Sequence, residues 1–216
     1  MITKYGYDVF FTIAAVCLIG TLLALFLVEP KIPKFALVSV SVLLLAFTAS
    51  FFRDPNRTTP PGAHLVMAPA DGKVIGVRSA EENEFLKSPA TQISIFMSPL
   101  NVHVNRNPIS GTVRHTRYVK GEYFAAFEEK ASEKNEQMIV GIENTHGRVL
   151  FKQIAGFIAR RIVCTLKPGD EVRAGDRFGM IRFGSRVDVF VPADATIRTR
   201  VGDRAVAGET VLAELK

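Results

Sequence analysis

Two uncharged apolar runs at the front of the chain constrain its fold more than any other feature. Residues 9–28, VFFTIAAVCLIGTLLALFLV, and residues 35–52, FALVSVSVLLLAFTASFF, contain no Asp, Glu, Lys or Arg. A helix that crosses the hydrocarbon core of a bilayer needs about 20 apolar residues, with a range near 17–25, and both runs meet that length. The residues between them, EPKIPK, make a short polar turn with two prolines. The sequence therefore predicts a transmembrane or membrane-embedded helical hairpin over residues 1–52. Two alternatives fit the same runs: a signal peptide followed by a buried helix, and an interfacial hairpin that does not fully cross. The signal peptide fits less well, because its apolar core is shorter and no second long run follows it at once. Lys4, Arg53 and Arg57 flank the side to which a hairpin returns, and Lys31 and Lys34 sit in its turn. Counting cations leaves the orientation open.

The next stretch, RDPNRTTPPGAH at 53–64, is rich in Pro, Thr and charge and reads as a linker. From residue 65 to 216 come short β-type runs separated by turn residues, among them KVIGVRS, QISIFMS, GTVRHTRYV, QMIVGIEN, RVLFKQIA and RVDVFV. These predict a mainly β domain of many short strands. One charged, Ala-rich stretch, AAFEEKASEKNEQ, reads as a helix or a loop. In the first 52 residues Lys4, Lys31 and Lys34 stand against Asp8 and Glu29, so that +1 of the net +6 lies there and +5 in the remainder. A basic domain tethered at a bilayer suits an anionic membrane lipid surface. No nucleic-acid motif is present, so no nucleic-acid partner is expected. Cys17 and Cys164 form neither a disulfide framework nor a zinc pattern, and no metal is expected.

Internal similarity sharpens the β reading. GDEVRAGD begins at Gly169 and GDRAVAGE at Gly202, an offset of 33 residues. A second phrase recurs as PADGKV at Pro69, PISGTV at Pro108 and PADATI at Pro192. Each is a proline, a short turn and the entry to a strand. Such phrases resemble the hairpins of the biotinyl/lipoyl-like barrel-sandwich hybrid, a likeness of fold only. It raises an alternative without catalysis, a membrane-anchored lipoyl-like adaptor or binding module. A lipoyl carrier is disfavoured, because the matching turn, GMIRFGSRVDV, has arginines and no lysine.

Three stretches could carry chemistry. In MAPADGKV, Asp71 sits in a Gly-containing turn, where an ordinary Asx turn also accounts for it. In FMSPLNVHVNRNP, His103 lies between valines and is flanked by Asn101 and Asn105; a satisfied buried histidine is the plain alternative. In RFGSRVDVFVP, Gly184-Ser185 opens a strand with Val187, Val189 and Val191 on one face and Arg186, Asp188 and Phe190 on the other. A serine on a tight turn can act as a nucleophile when a base assists it. The G-x-S-x-G elbow of α/β-hydrolases is absent.

Taken in order, APADGKV, SPLNVHVNRNPISG, KGEYFAAFEEKASEKNEQ and FGSRVDVFVP resemble the phosphatidylserine decarboxylase proenzymes, in particular their short archaeal and bacterial type A branch. The likeness runs through most of residues 55–216. It implies a carboxy-lyase that converts phosphatidylserine to phosphatidylethanolamine and CO2 in phospholipid biosynthesis. It also implies self-cleavage between Gly184 and Ser185, giving a β-chain of residues 1–184 and an α-chain of residues 185–216. In the family Ser185 Oγ would attack the Gly184 carbonyl, and Ser185 would end as a covalent pyruvoyl group, the cofactor. That group would serve as the electron sink for decarboxylation. His103 would return a proton to substrate, and Asp71 would act with a histidine to activate the serine. The implied partners are phosphatidylserine, anionic membrane lipid and the heterodimer of the α and β chains, with a further homo-oligomer left open. The implied location is the cell (inner) membrane, with the catalytic domain on the cytoplasmic side. One departure stands out. Longer family members carry H-x-x-H in the second stretch, whereas here Arg106 occupies the second position and stays protonated. Either His103 takes both roles or another base such as His115 assists, and Arg106 and His115 become candidates for binding substrate.

Overall fold

The computed structural model describes residues 1–122, 124, 134–156, 161–182 and 185–216. They form two compact units, Met1–Pro55 and Asn56–Lys216.

The first unit is a helical hairpin. A short 3-10 turn, Lys4–Gly6, leads into α1 (Tyr7–Leu27), and α2 (Lys31–Phe51) runs back beside it. Each helix has 21 residues, about 31 Å at 1.5 Å per residue, which matches a hydrocarbon core of about 30 Å. The open end is tied by Thr3 N–H to the Phe52 carbonyl at 2.9 Å and Asp54 N–H to the Met1 carbonyl at 2.7 Å. Cys17 and Ala24 are buried, while Phe11, Ile19, Phe26, Ile32, Phe35 and Leu43 are each more than half exposed. Such a surface is costly in water and favourable in lipid. The hydroxyls of Thr12 and Thr48 donate to carbonyls four residues earlier, so the helices carry them without a partner in solvent. A hairpin able to span a membrane is therefore present.

The second unit is mainly β, as expected from the sequence. In chain order its strands are β1 (Leu65–Met67), β2 (Gly72–Glu82), β3 (Ser88–Met97), β4 (Val104–Arg106), β5 (Gly111–Val119), β6 (Gln137–Asn144) and β7 (Gly147–Ala155). There follow β8 (Ile162–Cys164), β9 (Glu171–Val172), β10 (Arg177–Ile181), β11 (Ser185–Pro192), β12 (Thr196–Ile197), β13 (Arg204–Ala205) and β14 (Val211–Glu214). The main sheet has the order β13-β2-β3-β11-β7-β6-β5-β9, with every pairing antiparallel. It curls into a half-barrel. Two three-stranded sheets, β1-β14-β12 and β4-β10-β8, accompany it. The core holds Ile93 and Ile95 of β3, Phe151 of β7 and Val187, Val189 and Val191 of β11, together with Phe178 and Ile181 of β10 and Leu212 of β14.

The repeated phrases are repeated structure. Gly169 and Gly202 both have positive φ, +95° and +101°, and so do Gly175 and Gly208, +81° and +75°. Only glycine enters that region at little cost. Each phrase supplies a two-residue strand that lies along the start of a long one: β9 on Gly111 and Thr112, β13 on Gly72 and Lys73. The backbone bonds match too, Gly169 N–H to the Val113 carbonyl and Gly202 N–H to the Val74 carbonyl, both 2.8 Å. At Gly72 and Gly111 a Cβ would stand 2.2 Å and 2.3 Å from the carbonyl oxygens of Phe96 and Glu143, so both long strands begin with a residue that must lack one. These two-residue strands are too short for period-two patterning to reveal.

Residues from Asn56 onward are bound into the β unit. Arg57 pairs with Asp71 and Glu209, and Thr58 N–H donates to Glu209 at 3.1 Å. The Pro/Thr-rich composition of 53–64 reads as linker, but these contacts hold Arg57 and Thr58, near its middle, against the β unit. The AAFEEKASEKNEQ stretch lies mostly outside the described residues.

Candidate active site

Ser185 is the first residue of β11 and lies in register between Met97 of β3 and Ala155 of β7. It shares the alternation of Val187 and Val189, so its side chain lies on the core face. It is fully buried, and its Oγ donates to Met97 Sδ at 3.3 Å. A thioether is a weak acceptor, so the hydroxyl is held without being strongly engaged.

Around it the apolar face gives way to a small polar group. Asn105 of β4 is fully buried. Its Nδ2 lies 3.9 Å from the same Met97 sulfur and 3.3 Å from the Pro69 carbonyl. Its Oδ1 accepts from Gln153 Nε2 of β7 at 2.8 Å, and Gln153 lies beside Val187. His103, also fully buried, precedes Asn105 by two residues, the spacing that shares a face in an extended chain. Its Nδ1 is 2.9 Å from the Asn101 carbonyl oxygen. Only an N–H can satisfy that contact, so the ring proton belongs on Nδ1 and the basic lone pair on Nε2.

Gly184, the other half of the expected cleavage pair, lies outside the described residues. Asp71 is not hydrogen-bonded to His103 or Ser185. Its Oδ1 accepts from Ala207 N–H at 2.8 Å and its Oδ2 from Arg57 at 2.9 Å. The PADGKV turn instead reaches β4 through the Pro69 carbonyl, which accepts Arg106 N–H at 2.9 Å. Arg106 follows Asn105 and so points to the opposite side of β4. Its guanidinium donates to the Gly175 carbonyl at 2.8 Å, and its side chain packs on Gly208. His115 lies on β5, three strands from β11 in the sheet order. Its Nε2 is 2.7 Å from Glu84, and its ring stacks on Phe85. Arg117 binds the same carboxylate twice, at 2.6 Å each, and holds the Glu84 carboxyl below its usual range despite partial burial. Burial pushes the Cys164 thiol up, which keeps it protonated near neutrality.

Sequence reasoning missed three neighbours of Ser185: Met97, Gln153 and the pairing partner role of Asn105. Gln153 had a readable signal, since it interrupts the core alternation Val149, Phe151, Ala155. It also missed the far face of β11. Arg186 and Asp188 are buried there as an ion pair at 2.6 Å. Ser94 accepts from Arg186 at 2.7 Å, and Gln92 donates to Asp188 at 2.8 Å. The residue next to Ser185 is therefore anchored from beneath.

A model of the family described as phosphatidylserine decarboxylase matches residues 44–213. Among curated proteins, the phosphatidylserine decarboxylase proenzyme of Chlorobium limicola is 47% identical over 99% of both chains. That of Chlorobium chlorochromatii is 46% identical over 98% of this chain and 99% of its own. That of Prosthecochloris aestuarii is 44% identical over 100% of this chain and 98% of its own. A family model that matches residues 44–213, with relatives 44–47% identical over nearly the whole chain, shows that the chain belongs to the phosphatidylserine decarboxylase family.

Proposed function

We propose that this chain cuts itself between Gly184 and Ser185 and then decarboxylates phosphatidylserine to phosphatidylethanolamine at a membrane. The observation that carries the reading is Ser185 itself: buried, small, clamped in register on both sides, and with its hydroxyl on a weak acceptor. Ser185 Oγ adds to the Gly184 carbonyl carbon and gives its proton to His103 Nε2. The C–N bond breaks, the nitrogen takes a proton, and an ester joins the two parts. Loss of the Ser185 Cα proton and cleavage of the Cβ–Oγ bond release Gly184 as a carboxylate. The aminoacryloyl end left on residue 185 takes up water and loses ammonia, which yields a pyruvoyl ketone. Burial favours this course, since water reaching the ester early would hydrolyse it back to an ordinary serine.

The residues present fit such a group. Residue 185 sits in a dry, packed position at a strand end, and Arg186 and Asp188 fix the residues behind it. The ketone would supply an electron sink for the substrate carbon that loses CO2. His103, its Nδ1 fixed by Asn101, holds the proton that this carbon must regain. Asn105 and Gln153 tie the strand after His103 to the sheet that carries residue 185. Asp71 and Arg106 enter as framework: Asp71 fastens Arg57 and Ala207, and Arg106 braces Gly175. The product is a heterodimer of chains 1–184 and 185–216, whose β11 remains hydrogen-bonded between β3 and β7. The hairpin supports placement in the inner membrane. A cytoplasmic catalytic unit is the orientation that goes with this reading; the cations, three beside the β unit's end of the hairpin against two at its turn, do not set it.

Intact mass analysis of active protein tests the reading. Two fragments divided after residue 184 are expected, with the shorter one blocked to amine reagents and reactive toward hydroxylamine. Ser185→Ala should give one uncut, inactive chain. An uncut wild-type chain that still releases CO2 would refute self-processing.

A further inference from the structure

A second polar feature adjoins the site. A cavity of about 410 Å3 lies where β13 meets β2, lined by Lys73, Phe96, Ser98, Asn101, Gly202 and Arg204 among others. Lys73 and Arg204 are exposed and are direct cross-strand partners. Like charges placed opposite each other on one face destabilise a sheet. Among the described residues neither cation has an ion-pair partner, and no carboxylate lines the cavity. Asp203, the nearest carboxylate in sequence, is taken by the N–H and guanidinium of Arg200.

The internal repeat supplies a comparison within the same molecule. The matching cross-strand pair in the other copy is Thr112 with Glu171, and there the threonine hydroxyl donates to the carboxylate. One copy of the motif is thus internally satisfied, and the other presents two uncompensated cations at a cavity. The cavity also shares its wall with the site. Ser98 follows Met97, on which Ser185 Oγ rests, and its N–H donates to Asn101 Oδ1 at 2.8 Å. The Asn101 carbonyl holds His103 Nδ1. Phe96 and Met97 alternate in β3, so the cavity lies on the other face from Ser185 and reaches it around the strand end, through residues 98–101.

The geometry points to a phosphate-ester site: Lys73 and Arg204 bind the phosphodiester of the substrate while its amino-acid end reaches residue 185. This rests on the decarboxylase reading above. A phosphodiester carries one negative charge whatever the acyl chains, so the site would read the headgroup. A bulk anionic lipid offers the same chemistry, and the test separates the two.

The full-length processed protein is assayed in neutral mixed micelles as wild type, Lys73→Gln, Arg204→Gln and the double variant. Cleavage is read by intact mass, and KM and kcat for phosphatidylserine are measured at rising NaCl. All variants should cleave fully and melt no lower than wild type, because a like-charge contact has been removed. In the double variant KM should rise about tenfold, with kcat within about twofold and a shallower salt dependence. Inorganic phosphate should compete in wild type and lose that effect in the double variant. A wild-type chain that neither cleaves nor decarboxylates would sink the enzyme reading. An active wild type whose KM and salt dependence match the double variant's would overturn the phosphate-ester site alone. A KM difference that appears only when phosphatidylglycerol is added to the micelles would assign the cavity to bulk anionic lipid and overturn the substrate assignment.

Discussion

At the scale of single residues, the chain's unusual feature is charge inside the sheet. Arg186 and Asp188 are 3% and 0% exposed, and each is hydrogen-bonded to a second polar side chain as well as to its partner. Such a pair adds little net stability, but breaking it leaves an uncompensated buried charge. In an uncleaved Ser185→Ala background, Arg186→Met should therefore cost about 3–5 kcal/mol in chemical denaturation. Adding Asp188→Leu should recover most of that loss; a double variant as unstable as the single one would contradict the account. Glu84 makes a pH-dependent prediction. Its hydrogen bonds from Arg117 lower its folded pKa. Its contribution is thus present above the unfolded carboxyl's pKa and is lost as pH falls through the lower folded value. Wild type should lose melting temperature on acidification below about pH 4.3, the ordinary glutamate pKa, and Glu84→Gln should start lower and fall less over that range. Parallel melting curves for the two would show that Glu84 is not the group responsible.

At the scale of elements, the site depends on two sheets meeting. β11 and β7 bring Ser185 and Gln153, and β4 brings Asn105 from the small sheet β4-β10-β8. Gly179 of β10 pairs with both Asn105 and Cys164, and a Cβ there would stand 2.0 Å from the Val163 carbonyl oxygen. Gly179→Ala must therefore push β8 from β10, at a cost of roughly 1–3 kcal/mol, and loosen the strand next to His103. The fraction of chain found cleaved after expression should fall along with the melting temperature. Gly76→Ala is the control, because its Cβ would meet Ser94 at an ordinary 3.7 Å. Equal cleavage in the two variants would remove β10 from the argument.

At the scale of the whole molecule, the hairpin and the β unit divide the work. Residues 56–216 hold their own core and all the described site residues. Deleting residues 1–55 should leave self-cleavage intact while abolishing sedimentation with lipid vesicles and lowering turnover of vesicle-borne substrate much more than of detergent-dispersed substrate. Failure of the shortened chain to cleave, with its β-sheet circular dichroism retained, would show that the hairpin contributes to the chemistry.

Much of this is legible in the amino-acid sequence. Hydrophobic length announces a membrane hairpin because the bilayer sets it. Period-two alternation announces β11 because strand side chains alternate by geometry, and short β-type runs between turn residues announce β5 and β6. Four ordered phrases around Asp71, His103, the 120–137 stretch and Ser185 carried the family. The sequence could also display the repeat, though not that its halves lay down β9 and β13 on Gly111 and Gly72, since a two-residue strand has no period. What only the tertiary structure decided is who faces whom. Asp71 reads as a relay in a line of letters, yet its carboxylate is occupied by Arg57 and Ala207. His115 is a histidine like His103, yet the sheet order sets it three strands from Ser185. Lys73 and Arg204 are 131 positions apart in sequence and become one charged pair across β2 and β13. The physical reason is the same in each case: a side chain's chemistry depends on its nearest neighbours, and strand pairing chooses those neighbours from distant parts of the chain.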